Sequence, residues 1–217
     1  MMLAKLLTVS MLLATGLPAQ PPTKRVPADL SWIRSFTAPA GSDDDGRENA
    51  LNGDARLVAL LHSSLRQHQF FWHDHGNFTP LPDLVQTFIG VPNKALLWDQ
   101  RYAVVDGCVP HDCSDRGMLW IDTASTSKPS LIFVATDSVR GSGPKEGSLV
   151  HLWLFSSTKL DWQHLPPSFV SSASPWWTST SAVWTKYYRE RVVVVSLVQP
   201  SGEIVTLSPE LFQFAAK

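Results

Sequence analysis

Residues 101–122 read Arg-Tyr-Ala-Val-Val-Asp-Gly-Cys-Val-Pro-His-Asp-Cys-Ser-Asp-Arg-Gly-Met-Leu-Trp-Ile-Asp, two apolar runs around a polar connection that carries the only two cysteines of the chain. Arg101 to Gly107 and Met118 to Asp122 are rich in β-branched and aromatic residues and read as strands. A short connection between them makes them antiparallel neighbours, with Cys108 to Gly117 as the loop. The same signature recurs downstream at Leu131 to Thr136, Leu149 to Phe155, Val192 to Val198 and Glu203 to Leu207. Pro200-Ser201-Gly202 joins the last two as a hairpin. Ser156 to Trp184, rich in Ser, Thr and Trp, matches neither period and is left without an element.

Upstream of the strands the period changes. Leu57, Leu60, Leu61, Leu65 and His68 recur at three- and four-residue spacing behind Asn52 or Asp54, either of which can cap, so a helix runs to about Phe70. Leu81 to Gly90 forms a second, shorter helix with Pro82 in its first turn and Gly90 past its end. The fold class that follows is α+β: an antiparallel sheet with a helix packed on one face and a disulfide-clasped hairpin loop protruding from it.

The first residues look like an export address. Met1 to Lys5 is a short basic start, Leu6 to Leu17 is apolar, and Ala14-Thr15-Gly16 or Leu17-Pro18-Ala19 offers small residues for cleavage. A stretch of 12 apolar residues falls short of the roughly 20 that a bilayer requires, so residues 1–19 read as a signal peptide and the mature chain as exported, with no membrane attachment. Export in turn favours a Cys108–Cys113 disulfide over a metal clamp or a redox dithiol. Residues 20–53, with Pro21, Pro22, Pro27 and the run Gly41-Ser42-Asp43-Asp44-Asp45-Gly46, read as a flexible arm whose Trp32, Ile33 and Phe36 could dock. Residues 54–165 form the main domain, and residues 166–217 a β-rich extension of it.

Composition narrows the function classes. Of 217 residues, 44% are hydrophobic and 17% charged, against roughly 25% charged in ordinary domains, so a core is affordable and general disorder is excluded. A formal charge of −1 leaves no basic field for nucleic acid. Gly-x-Ser-x-Gly, His-Glu-x-x-His, Walker and Rossmann signatures are all missing from the sequence. The chain therefore reads as a non-enzyme with no cofactor and no resident metal. A hairpin loop of six residues, Cys108 to Cys113, closed by its cysteines is stiff, since the clasp removes about 2 kcal/mol of unfolded-chain entropy and Pro110 fixes one more dihedral. Its tip presents His111 and Asp112, and an imidazole that donates from its ring nitrogens suits a cleft lined by carboxylates.

Cys108-Val109-Pro110-His111-Asp112-Cys113 resembles the Cys-Lys-Pro-His-Asp-Cys loop of the Ivy family, the inhibitors of vertebrate lysozyme exported by Gram-negative bacteria. Thr79-Pro80, Gly90-Val91-Pro92 and Tyr102-Ala103-Val104 extend the resemblance over about residues 54–162. It implies a periplasmic protein that places this loop in the catalytic cleft of c-type lysozyme and protects the cell wall. His111 would hydrogen-bond the two catalytic carboxylates. Val109, Pro110 and Asp112 would complete the lysozyme-binding loop, and Cys108 with Cys113 would clasp it. Lytic transglycosylases are further implied partners, and a homodimer is within the family's repertoire. Val109 stands where the family usually has Lys.

Charge gives a separate argument. Asp99, Asp106, Asp112, Asp115 and Asp122 outnumber Arg101 and Arg116 across this hairpin, an acidic patch suited to steering a basic lysozyme. Two rival readings use other residues. His68, His73, His75 and His111 would serve an exported metal-binding module, and Trp176, Trp177 and Trp184 a glycan platform, although aromatics in a sheet protein more often fill its core.

Overall fold

A computed structural model describes residues 29–44, 46–74, 76–124, 128–139, 149–188 and 190–211. The expected signal peptide and residues 20–28 of the arm lie outside them. The chain is mixed α and β, built on an eight-stranded sheet. Its strands are β1 (Ala38–Pro39), β4 (Val91–Trp98), β5 (Tyr102–Val109), β6 (Asp112–Asp122), β7 (Leu131–Ser138), β8 (Leu149–Ser156), β9 (Arg191–Val198) and β10 (Ile204–Leu207), side by side in that order. A small hairpin, β2 (His73–Asp74) with β3 (Asn77–Phe78), stands apart. The helices are α1 (Glu48–Asn52), α2 (Ala55–Ser64), α3 (Leu81–Phe88) and α4 (Pro167–Tyr188), with a 3-10 turn at Ser31–Phe36.

Two expectations about the sheet are corrected. It is not wholly antiparallel: β4 to β8 alternate, but β8 pairs β9 in parallel and β1 pairs β4 in parallel. Parallel neighbours need a crossover, and α4, in the stretch left unassigned from sequence, supplies it between β8 and β9. Nor does helix cover one face only. Ala103, Val105, Leu119, Ile121, Leu131 and Phe133 pack with Leu57, Leu61, Leu84 and Phe88 of α2 and α3. The intervening Val104, Met118, Trp120, Ile132 and Val134 pack on the opposite face with Phe169, Ala173, Trp176 and Trp177 of α4. Strands buried on both faces carry continuous apolar runs, as these do.

Asp54 caps α2, its carboxylate accepting from the Arg56 amide at 2.8 Å, and the helix ends at Ser64, short of Phe70. α3 matches its expected span, with Pro82 in the first turn and five of its eight residues buried. Four apolar residues between Asp29 and Asn52 are packed into the core. Leu30, Ile33, Ala38 and Leu51 are 0–3% exposed, and Arg56 lies over the Trp32 ring at 4.3 Å. Residues 166–217, expected as β-rich, contribute a 22-residue helix and two strands of the same sheet. Among the described residues no helix is long and apolar enough to cross a membrane.

Candidate functional site

The hairpin of β5 and β6 is tighter than the ten-residue connection expected from sequence. Val109 pairs Asp112, leaving Pro110 and His111 as a two-residue turn. Proline at the first position and a left-handed residue at the second, His111 with φ 67°, is the type II pattern. The ladder then skips, since Cys108 pairs Arg116 while Val109 pairs Asp112. Cys113, Ser114 and Asp115 bulge in between. That bulge brings Cys113 beside Cys108, and the expected disulfide closes across it with Cα atoms 4.8 Å apart.

Pro110, His111 and Asp112 are exposed at the tip, and the Ser114 hydroxyl donates to the Asp112 carboxylate. Val109 is 8% exposed and belongs to the core beneath α3. Its side chain is therefore set back from the exposed tip, beside the core. The exit of α3 abuts the base of the turn. A Cβ on Gly90 would stand 3.1 Å from Pro110 Cδ, and one on Gly107 would stand 2.6 Å from the Val91 carbonyl oxygen. Only a bare backbone allows this approach. Val91, the register partner of Cys108, is 43% exposed and adds an apolar shoulder near the tip.

The bulge is also braced from behind, by residues that sequence reasoning missed. Arg116 is 2% exposed. Its guanidinium donates to both carboxylate oxygens of Glu190, at 2.6 and 3.3 Å, and to the Ser114 carbonyl at 3.2 Å. It also lies 4.9 Å from the Trp177 ring of α4. Arg116 therefore ties the turn to the C-terminal segment. Nothing in the local sequence marks this, because Glu190 lies 74 residues away.

The acidic patch expected along the hairpin is broken up. Asp122 forms a bidentate pair with Arg101, at 2.7 and 2.6 Å. Asp106 is 6% exposed and accepts from the Asn93 side chain at 3.1 Å. Asp99 and Asp112 remain exposed. Asp115 is half-buried, and desolvation, with the nearby charges of Asp112 and Asp137, pushes its carboxyl up to about 6. Asp137 opposes His151 across β7 and β8, where burial lowers the imidazole pKa and the Asp137 charge works against that. His151 Nε2 lies 2.9 Å from the hydroxyl of Ser196, a buried residue of β9, so this group links the parallel strands.

Burial likewise pushes Asp106 up to about 6, partly offset by Asn93 and Lys94. The folded chain holds that proton more tightly than the unfolded chain, so its contribution to stability is full below pH about 4 and is lost as pH rises through about 6. Asp106→Asn is expected to stabilise the protein at pH 7 by about 2 kcal/mol and to flatten the stability profile between pH 4 and 6. Urea melts across that range measure it, and an unchanged profile would refute the assignment.

Among the described residues no three His, Cys, Asp or Glu side chains are placed to hold a metal ion. His68 lines a groove beside α3, His73 packs on the Phe78 ring at 4.0 Å, and His111 stands on the turn, while His75 lies outside the described residues. Trp176 and Trp177, at 4% and 8% exposure, belong to the core and offer no platform. The Trp184 side chain lies outside what the structure describes. Comparisons of the chain with protein-family models, with curated proteins and with solved structures found no match.

Proposed function

We propose that this chain is an exported, periplasmic inhibitor of c-type lysozyme, of the Ivy type, that acts without catalysis by placing the Cys108–Cys113 turn in the enzyme's cleft. The observation that carries the reading is the exposed two-residue tip, Pro110-His111, held between a disulfide in front and the Arg116–Glu190 pair behind. A tip ordered before the encounter does not lose that freedom on binding. His111 is the group aimed at the two catalytic carboxylates, and Asp112 helps fix the turn through Ser114. Protection of the cell wall is the role, and lytic transglycosylases, which cleave the same glycan, are secondary targets.

Val109 makes no contact in this mechanism. Its burial means that the Lys usual in the family has no counterpart at the tip, so the inhibitor relies on the imidazole and on apolar contact from Val91 and Pro110.

The test is inhibition of a purified c-type lysozyme by the oxidised mature protein, beside the Cys108→Ala/Cys113→Ala double variant. Loss of the clasp is expected to weaken inhibition roughly thirtyfold, in line with about 2 kcal/mol of ordering restored to the free loop. A parent protein that leaves lysozyme fully active at micromolar concentration would overturn the reading.

A further inference from the structure

A groove of about 380 Å³ opens between the end of α2 and the start of α3, a volume within the roughly 300–1,000 Å³ of small-ligand sites. It shares no residue with the clasped turn. Its floor is apolar, with Leu65 and Leu81 at 0% and 2% exposure and Pro82 beside them. Its outer wall is Phe78, 51% exposed, which meets the 52% exposed Phe70 edge-on at 6.4 Å. Two large exposed aromatics together mark an interaction surface better than scattered ones do.

The groove is built in advance. Gln69, 3% exposed, donates to the carbonyls of Trp72 and Thr79, at 2.7 and 2.8 Å. The same side chain accepts from the amides of Phe71 and Trp72, at 3.1 and 2.9 Å. One amide group thus fixes the backbone on two sides of the opening. Gln67, 8% exposed, anchors the next turn by donating to the Ser156 carbonyl.

Its polar rim has one sign. Arg66 and His68 are exposed there, and among the described residues no carboxylate stands within ion-pair distance of Arg66. His62 already pairs Asp83 at 3.2 Å, which leaves Arg66 as the open cation. The start of α3 faces the same space. Pro80 at its N-cap provides no side-chain cap, and the helix's positive end is answered instead by Asp83 of its first turn. A guanidinium fork suits a carboxylate, and an aliphatic floor with an aromatic wall suits an apolar side chain attached to it.

We infer that this groove is a second binding site, which takes the free C-terminal carboxylate of a short peptide ending in an apolar residue. The carboxylate lies against Arg66, and the last side chain fills the space over Leu65 and Leu81 beside Phe78. A bare phosphate would answer the cation but leave the apolar floor empty.

Fluorescence anisotropy with a fluorescein-labelled pentapeptide ending in Leu, beside the same peptide as its C-terminal amide, tests this on the unaltered protein. The acid is expected to bind at least about tenfold more tightly than the amide, the difference made by charge-assisted hydrogen bonds. Arg66→Gln should remove that preference, Phe78→Ala should weaken both peptides, and His111→Ala should change neither. Equal binding of acid and amide, no binding at millimolar peptide, or full preference retained by Arg66→Gln would overturn the inference. Displacement by inorganic phosphate at the peptide's own affinity would overturn it in favour of a simple anion site.

Discussion

His111→Ala is expected to raise the inhibition constant for a c-type lysozyme roughly a hundredfold, because it removes hydrogen bonds to two charged acceptors, each worth about 1.5–3 kcal/mol. The substitution also disturbs the backbone, since His111 sits at φ 67°, a conformation that Ala tolerates poorly. His111→Asn separates shape from chemistry. Asn accepts the left-handed conformation readily but lacks the imidazole. On the proposed mechanism both variants fail alike. If Asn restores inhibition to the parent's level, the turn is what binds and the imidazole is not the inhibitory group.

The second large effect is on stability. Glu190→Ala takes the Glu190 carboxylate away from the Arg116 guanidinium, 2% exposed and already desolvated, and breaking a buried ion pair by removing one partner costs about 3 kcal/mol. For a chain of this length that corresponds to a Tm lower by roughly 10 °C. Removing both charges has a different result: Arg116→Met with Glu190→Leu should recover most of the loss, because a well-packed apolar pair replaces a buried ion pair at little net cost. Thermal melts of the three proteins decide it. A Glu190→Ala variant within about 1 kcal/mol of the parent would show that the pair does not brace the turn.

Much of this arrangement could be read from residue order, and what escaped has identifiable causes. The β5–β6 hairpin and its clasp follow from local chemistry, as does α3, where Pro82 and Gly90 punctuate an apolar period. The second helical layer was foreshadowed by Leu131-Ile132-Phe133-Val134-Ala135 and Val192-Val193-Val194-Val195, which do not alternate and so require cover on both sides. α4, which provides that cover, was hidden by its composition. Ser and Thr have middling helix propensity, and Pro175 lies inside the helix. Its loss of a backbone donor is tolerated where the residue is exposed. β4 was missed because Pro92 and Asn93 read as turn residues, whereas in the sheet they mark a bulge between Pro92 and Lys94.

Charged residues were the least legible. Asp106, Asp115 and Arg116 all read as surface groups beside the loop, yet each is partly or wholly buried. Burial of a charge depends on partners that periodicity does not reveal: Asn93 comes from a neighbouring strand and Glu190 from just ahead of β9. The candidate tip was legible in part: His111 was placed there by its position between the cysteines, whereas the two-residue turn Pro110-His111 was not, because the strand pairing of Val109 with Asp112 lies inside what read as a ten-residue connection.

The parallel pairing of β8 with β9 also bears on where this chain can be divided. Cutting after Leu165 would remove α4, β9 and β10 together and leave Leu149–Ser156 as an open rim. Leu152, Leu154 and Phe155, now 0% exposed, would line that rim beside unpaired backbone donors and acceptors. Such a strand is a template for another copy of itself, so a fragment ending at the resemblance would self-associate before its turn met any enzyme. The sheet is continuous through all eight strands, and the segment beyond Leu165 supports the loop through Glu190 as the loop's own cysteines do through their bond.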